Sequence, residues 1–163
     1  MIVIGIDPGL TGAIAVLPHE NAALVFDTPT ALVKGKNTYL VAEMGDLLEE
    51  LVADDSHGTP KAHAFIEGQQ TFPKMPSRAM FSLGYGYGLW LGLVAGLKIP
   101  HTIVPPKTWK AEMAVPRKAD KEASRMRAQQ LYPDLVQSYL TLKKHHGRAE
   151  ALLIAEYGRR MLK

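Results

Sequence analysis

A chain of 163 residues, 47% hydrophobic and 21% charged, has the composition of an ordinary globular domain and enough apolar material for a core, which argues against a disordered tail or linker. It has no cysteine, so disulfides and thiolate metal sites are excluded. Net charge is only +3, but residues 1–104 hold six Lys/Arg against ten Asp/Glu and residues 105–163 hold thirteen against six, so the second part is suited to a polyanionic partner.

In chain order, Ile2–Asp7 alternates apolar residues and runs into Asp-Pro-Gly, a strand entering a turn. Ala13–Leu17 and Ala22–Asp27 are two further strands, and the short connections predict an antiparallel meander. Thr38–Val52 has helical spacing, with Leu40, Met44, Leu47, Leu48 and Leu51 on one face. A loop over Ala53–Lys61 leads to a fourth strand, Ala62–Glu67, which ends like the first in an acid. Ser77–Leu97 is an uncharged helix. Its length would span a bilayer, but its glycines, tyrosines and serine and its position between polar segments favour a buried helix and no membrane role. Gly84, Gly88, Gly92 and Gly96 recur at spacing four. Each costs a helix about 1 kcal/mol against alanine, so the ridge predicts close approach of another backbone, the sheet or a second subunit. Ile99–Val104 is a fifth strand, followed by the loop Pro105–Lys110 and helices over Ala119–Leu131 and His146–Leu162 with a loop around Pro133. Residues 1–163 read as one domain without repeats or linkers. The first residues show neither a basic leader nor a cleavage site, so no signal peptide is expected.

This order is a mixed α/β pattern. A right-handed crossover sets strand four parallel to strand one, so Asp7 and Glu67 stand at neighbouring strand ends. Two carboxylates placed so repel unless a positive charge lies between them, and a hard divalent cation such as Mg²⁺ meets that need. The last helix opens with His145-His146-Gly147-Arg148-Ala149-Glu150. His146 and Glu150, four apart, share a face, although Glu150 could instead pair with Arg148 or a lysine and His146 could cap the helix.

Ile4-Gly5-Ile6-Asp7-Pro8-Gly9-Leu10-Thr11-Gly12 resembles the opening motif of the RuvC-like Holliday junction resolvases, of the ribonuclease H-like superfamily. Phe65-Ile66-Glu67 is similar to their second acidic motif, and the helix with Met80, Leu83, Gly84 and Gly88 to the helix that follows it. Val104–Lys110 is similar to their segment after strand five, and Gly147-Arg148-Ala149-Glu150-Ala151-Leu152 to their final acidic helix. The motifs stand in family order over nearly the whole chain, closest in flavour to small, phage-type members.

The resemblance implies a ribonuclease H-like fold: a five-stranded mixed sheet, three antiparallel strands then two parallel, flanked by helices. It implies a structure-selective endodeoxyribonuclease that nicks four-way junctions in pairs and leaves 5′-phosphate and 3′-hydroxyl ends. Asp7, Glu67, Glu150 and His146 would be the catalytic and metal-holding residues, with two Mg²⁺ ions that Mn²⁺ could replace. It implies branched DNA as substrate, a homodimer and a cytoplasmic setting in a bacterium or phage-infected host; the glycine-ridged helix is the candidate interface, packing on its own sheet being the competing use. Many relatives carry an aspartate three or four residues before the last acid. Here Gly147 and His146 hold those places, and whether His145 or His146 serves stays open.

For DNA contact the basic part offers Lys107 and Lys110 around Trp109, then Arg117, Lys118, Lys121 and Arg125. Phe72, in the loop after Glu67, stands where resolvases carry an aromatic that stacks on bases. Two other readings compete. Asp-Pro-Gly-Leu-Thr also fits the phosphate loop of actin-like ATPases and sugar kinases, but those enclose ATP between two large lobes. A junction-binding protein with weak or no cleavage fits the histidine in place of an acid.

Overall fold

The computed structural model describes residues 1–18, 22–53, 61–116 and 121–163. β1 (Ile2–Asp7) lies at the centre of a five-stranded sheet. It pairs antiparallel with β2 (Ala13–Leu17), which pairs antiparallel with β3 (Leu24–Asp27). On its other side it pairs parallel with β6 (Ala62–Glu67), and β6 pairs parallel with β7 (His101–Val104). The order is β3-β2-β1-β6-β7, three antiparallel strands then two parallel, as the sequence predicts.

The sequence reading missed a separate hairpin, β4 (Thr30–Val33) with β5 (Lys36–Tyr39). Its two-residue turn is Lys34-Gly35, both at positive φ (48° and 73°), the conformation that matches the twist of a tight hairpin. Thr38 and Tyr39 therefore belong to a strand, and the helix expected from Thr38 starts later, as α1 (Val41–Val52). The third strand begins at Leu24 rather than Ala22, and the fifth at His101 rather than Ile99. α2 spans Ser77–Gly96. The segment expected as a loop at Pro105–Lys110 is a helix, α3 (Pro106–Glu112), with proline in its first turn, where a missing N–H costs nothing. α4 covers Lys121–Leu131 and α5 His146–Met161. Short 3-10 and π-helical turns connect them over residues 133–145.

Strand alternation sorts the core into two layers. Ile4, Ile6, Ile14, Val16, Ala64 and Ile66 face α1 and α2, where Met44, Leu48, Trp90 and Val94 meet them. Val3, Ala13, Ala15, Leu17, Val25 and Phe65 face α5, which buries Ala151, Leu152, Leu153, Ile154 and Ala155. α5 crosses β1 backbone to backbone at Gly5, where a Cβ would overlap Ala151 O and Ala155 N. Any larger residue would lift the helix off the sheet.

The glycine ridge does not serve the packing on the sheet that was one of its two readings. Among the described residues, a Cβ at Gly84, Gly88, Gly92 or Gly96 would meet nothing within 4 Å outside the helix's own nearby backbone. The close approach falls instead at Gly86, on another face of α2, which abuts Tyr39 and Pro8 O. Among the described residues no helix is long and apolar enough to cross a membrane.

Candidate active site

Ile6 lies opposite Ile66 in the parallel β1–β6 pair, so Asp7 and Glu67 follow abreast at the two strand ends. Alternation puts Asp7 on the face of Val3 and Gly5, and Glu67 on the face of Phe65. Both acids therefore turn toward α5. The first turn of α5 is seated on the Asp7–Gly12 loop at Gly147, where a Cβ would overlap Thr11 O and stand 3.0 Å from Gly12 Cα. Glu150, one turn further along α5, comes close enough to Glu67 for its charge to be felt there.

Each carboxylate has partners of its own. Asp7 Oδ1 accepts from Gly9 N at 3.4 Å. Tyr39, from the hairpin, donates to Pro8 O at 3.3 Å, and its hydroxyl pKa is pushed up to about 12 by burial and by the Asp7 charge. Glu67 is 9% exposed. Its Oε1 accepts from Trp109 Nε1 at 3.0 Å and its Oε2 from Gln69 Nε2 at 3.2 Å. Burial raises the Glu67 pKa above the usual carboxylate value, and the nearby Glu150 charge raises it further; Trp109, Lys110 and Gln69 pull it back only in part. Glu150 Oε1 accepts from Ser124 Oγ at 3.1 Å and faces Lys110 Nζ at 3.2 Å. Lys110 also lies over the Trp109 ring, 5.0 Å from its centroid.

A groove of about 470 Å³ opens on this cluster, lined by Glu67, Gln69, Phe72, Lys107, Lys110 and Glu150 among others. Two expected DNA-contact residues are thus on its rim, Phe72 at 64% exposure and the exposed Lys107. Lys110 is placed further in, paired with Glu150, so the ion pair that competes with a metal-holding role for that acid is present, with a lysine rather than Arg148. Arg148 instead makes two 2.6 Å bonds to Asp27 at the end of β3. Arg125 is held by Glu122 and by Leu140 O and Thr141 O, so it braces α4 against the following turns rather than standing free for phosphate. Arg117 and Lys118 lie outside the described residues, as does the side chain of Lys121.

Of the two histidines, His145 is buried, and its Nδ1 accepts from Leu142 N at 3.2 Å, closing the turn before α5. His146 occupies the first position of α5 and is half-buried. Sequence reasoning missed three residues of this site: Trp109 as a donor to Glu67, Gln69 beside it, and Ser124 on Glu150. Only Trp109 carried a signal, a large aromatic one turn into a proline-started segment.

Among the described residues no three His, Asp or Glu side chains are gathered around one point as ready ligands. The donor set nonetheless fits a hard divalent cation: carboxylate oxygens, two of them mutually repelling, on rigid strand and helix ends.

No family model matches the chain. The chloroplastic Holliday junction resolvase MOC1 of Chlamydomonas reinhardtii is 33% identical over 95 residues, 58% of this chain. The match spans only 11% of that protein's length. Two solved structures cover nearly everything. Thermus thermophilus RuvC in complex with a Holliday junction substrate superposes with TM-score 0.59 at 19% identity, over 99% of this chain and 96% of the other. A second Thermus thermophilus RuvC structure gives 0.56 at 18% identity with the same coverage. The fold is RuvC-like, the ribonuclease H-like architecture that the motif order implies.

Proposed function

We propose that this chain is a structure-selective endodeoxyribonuclease that resolves four-way DNA junctions by paired, metal-dependent nicks. The observation that carries the reading is the pair of strand-end acids, Asp7 and Glu67, on the sheet face that α5 covers, with Glu150 of α5 close to Glu67, beside a groove with Phe72 and Lys107 on its rim. The likeness to MOC1 and RuvC supports the same substrate class.

Asp7, Glu67 and Glu150, with His146, would hold two Mg²⁺ ions, and Mn²⁺ would substitute. Bound there, such ions supply an activated water and neutralise charge on the departing oxygen. The chain's residues do the positioning. Trp109 and Gln69 fix both oxygens of Glu67, and Ser124 fixes Glu150, for which Lys110 competes with a cation. Lys110 brings a positive charge to the groove, where the phosphodiester lies, and Lys107 neutralises a neighbouring phosphate. Cleavage leaves 5′-phosphate and 3′-hydroxyl ends.

A four-way junction has two strands to cut symmetrically, which a two-fold dimer does with two fixed sites. α2 is the surface for the second copy. Its glycine ridge is open, and Phe81 (75% exposed) stacks on Tyr85 beside it with centroids 6.0 Å apart. The pairing of Lys110 with Glu150 favours one alternative, a protein that holds junctions and cuts them weakly.

The test is a labelled synthetic four-way junction with Mg²⁺ or Mn²⁺, comparing wild type with Asp7→Asn. Paired nicks with ligatable ends, lost in the variant, are expected. Binding without cleavage in both metals would establish the alternative, and a variant that cuts normally would remove Asp7 from the site.

A further inference from the structure

A second polar cleft lies on the other side of the Asp7–Gly12 loop from the catalytic groove. It measures about 220 Å³ and opens between the β4–β5 hairpin and the turn before α5. Thr11, Thr30, Asn37, Lys144 and His145 line it, with Thr28 at its wall. These groups are donors. His145 Nδ1 already accepts from Leu142 N, so the ring's N–H is on Nε2. Thr28 is 3% exposed, and its hydroxyl has no hydrogen-bond partner among the described residues. The carboxylate in the lining, Asp27, is occupied by its two bonds to Arg148. A cleft of hydroxyls, an amide, an imidazole N–H and an ammonium, with its acid neutralised, is matched to a phosphate's oxygens.

The cleft is linked to the catalytic groove through shared lining residues. Gln69 and Leu83 line both that groove and a shallow trough along Pro8–Thr11, and Leu10 and Thr11 line both the trough and the cleft. The track leads from Phe72 and Lys107, past the acids, to the hairpin. The hairpin suits the end of such a track. Residues 28–42 contain no acid, and the hairpin carries Lys34 in its turn and Lys36 at the start of β5. A two-stranded ribbon of this kind fits a DNA groove.

We infer that the cleft between the β4–β5 hairpin and α5 is a second backbone-phosphate subsite, holding a phosphodiester of the same DNA strand beyond the one that is cut. The inference rests on the nuclease reading for the identity of the strand, but not for the phosphate chemistry. Lys144 supplies the charge and Asn37, Thr30 and His145 the hydrogen bonds, while Lys34 and Lys36 meet the flanking backbone.

The test is junction binding by fluorescence anisotropy without divalent metal, over a range of salt, for wild type, Lys144→Ala, Asn37→Ala and a control, Lys98→Ala. Lys98 is an exposed lysine in the turn after α2. Lys144→Ala is expected to weaken binding several-fold and to lower the slope of log affinity against log salt by about one, the loss of one phosphate contact. Asn37→Ala is expected to weaken binding with the slope kept, and Lys98→Ala to do neither. If wild type binds and cuts junctions while Lys144→Ala matches the control, the subsite is overturned and the nuclease reading stands. If wild type neither binds nor cuts junctions, inorganic phosphate decides. Saturable NMR shifts at Thr11, Thr30 and Asn37 that vanish in Lys144→Ala uphold an anion site, and their absence overturns it.

Discussion

Trp109 Nε1 donates a 3.0 Å hydrogen bond to Glu67 Oε1 from a ring that is itself fully buried. One face of the core thus ends in a fixed donor aimed at an acid of the site. Partners of this sort orient ligating carboxylates and hold them at one rotamer.

The Trp109→Phe variant keeps most of the packing and deletes only that donor. Loss of a partner behind a metal ligand costs roughly 10–100-fold in metal affinity or activity. The expected result is a fall of that size in junction cleavage, with a higher Mn²⁺ concentration needed for half-maximal rate. Cleavage and metal response equal to wild type would show that Glu67 needs no such support.

Glu67 is an acid held where its charge is unwelcome. Its folded pKa lies above the ordinary carboxylate value, first because of burial and then because of Glu150. The native state therefore binds this proton more tightly than the unfolded chain does. Stability falls as pH rises from the ordinary carboxylate range through the raised folded pKa, and the full cost is present above it. Glu67→Gln removes the charge and keeps an acceptor for Trp109. Without metal it should melt higher than wild type at about pH 7.5, with the gap closing toward about pH 4, each 1 kcal/mol appearing as roughly 2–4 °C for a domain of this size. Cleavage should be lost. A lower melting point at neutral pH would contradict the repulsion between Glu67 and Glu150.

Lys110 supplies positive charge where a cation would otherwise bind, 3.2 Å from Glu150 Oε1. Lys110→Met keeps the aliphatic stem against Trp109 and removes the ammonium. Mn²⁺ affinity, read by titration without DNA, should rise, because repulsion and competition for Glu150 both disappear. Junction affinity should fall, with a salt slope smaller by about one. A variant with weaker Mn²⁺ binding would mean that Lys110 orders Glu150 for the ion rather than opposing it.

The register of the acids was legible in the sequence, and much of their surroundings was not. Two hydrophobic strands ending in Asp7 and Glu67, with a crossover of fixed hand between them, leave one arrangement, and the Ile6–Ile66 pairing realises it. The hairpin was hidden because the helical period of Leu40, Met44, Leu47, Leu48 and Leu51 does not mark where the helix begins; Lys34-Gly35 was the turn signal that separates the two. The glycine ridge was visible as a pattern, but periodicity does not say which face of a helix is packed, and the close approach falls at Gly86, against Tyr39 of the hairpin and Pro8 O of the loop after β1. The links from Trp109 to Glu67 and from Lys110 to Glu150 span 42 and 40 positions and depend on how α3 leaves β7, which no local pattern encodes.

Gly147 fixes how α5 meets the Asp7–Gly12 loop. In Gly147→Ala the new methyl would overlap Thr11 O, which is backbone and has little room to yield. Overpacking of this kind costs about 1–3 kcal/mol and is relieved by moving the helix start outward. That motion carries Glu150 away from Glu67. The expected outcome is a lower melting point together with a larger proportional loss of cleavage than of junction binding. Equal losses of both would mean that the helix start sets the DNA surface rather than the acid cluster.

Phe72 separates stacking from charge. At 64% exposure on the groove rim it contributes little to the fold, so Phe72→Ala should leave the melting point unchanged. If the ring stacks on an unpaired base, its loss removes about 1–3 kcal/mol of binding, a fall of roughly 5- to 150-fold in junction affinity. Stacking releases no counterions, so the salt slope should match wild type. Lys107→Ala, on the same rim, should do the opposite, with a modest loss at low salt and a slope smaller by about one. Anisotropy on a four-way junction and on a linear duplex completes the argument. A base is available for stacking only where the duplex opens, so Phe72→Ala should weaken junction binding and leave duplex binding alone. Equal losses on both would place Phe72 against the backbone instead of a base.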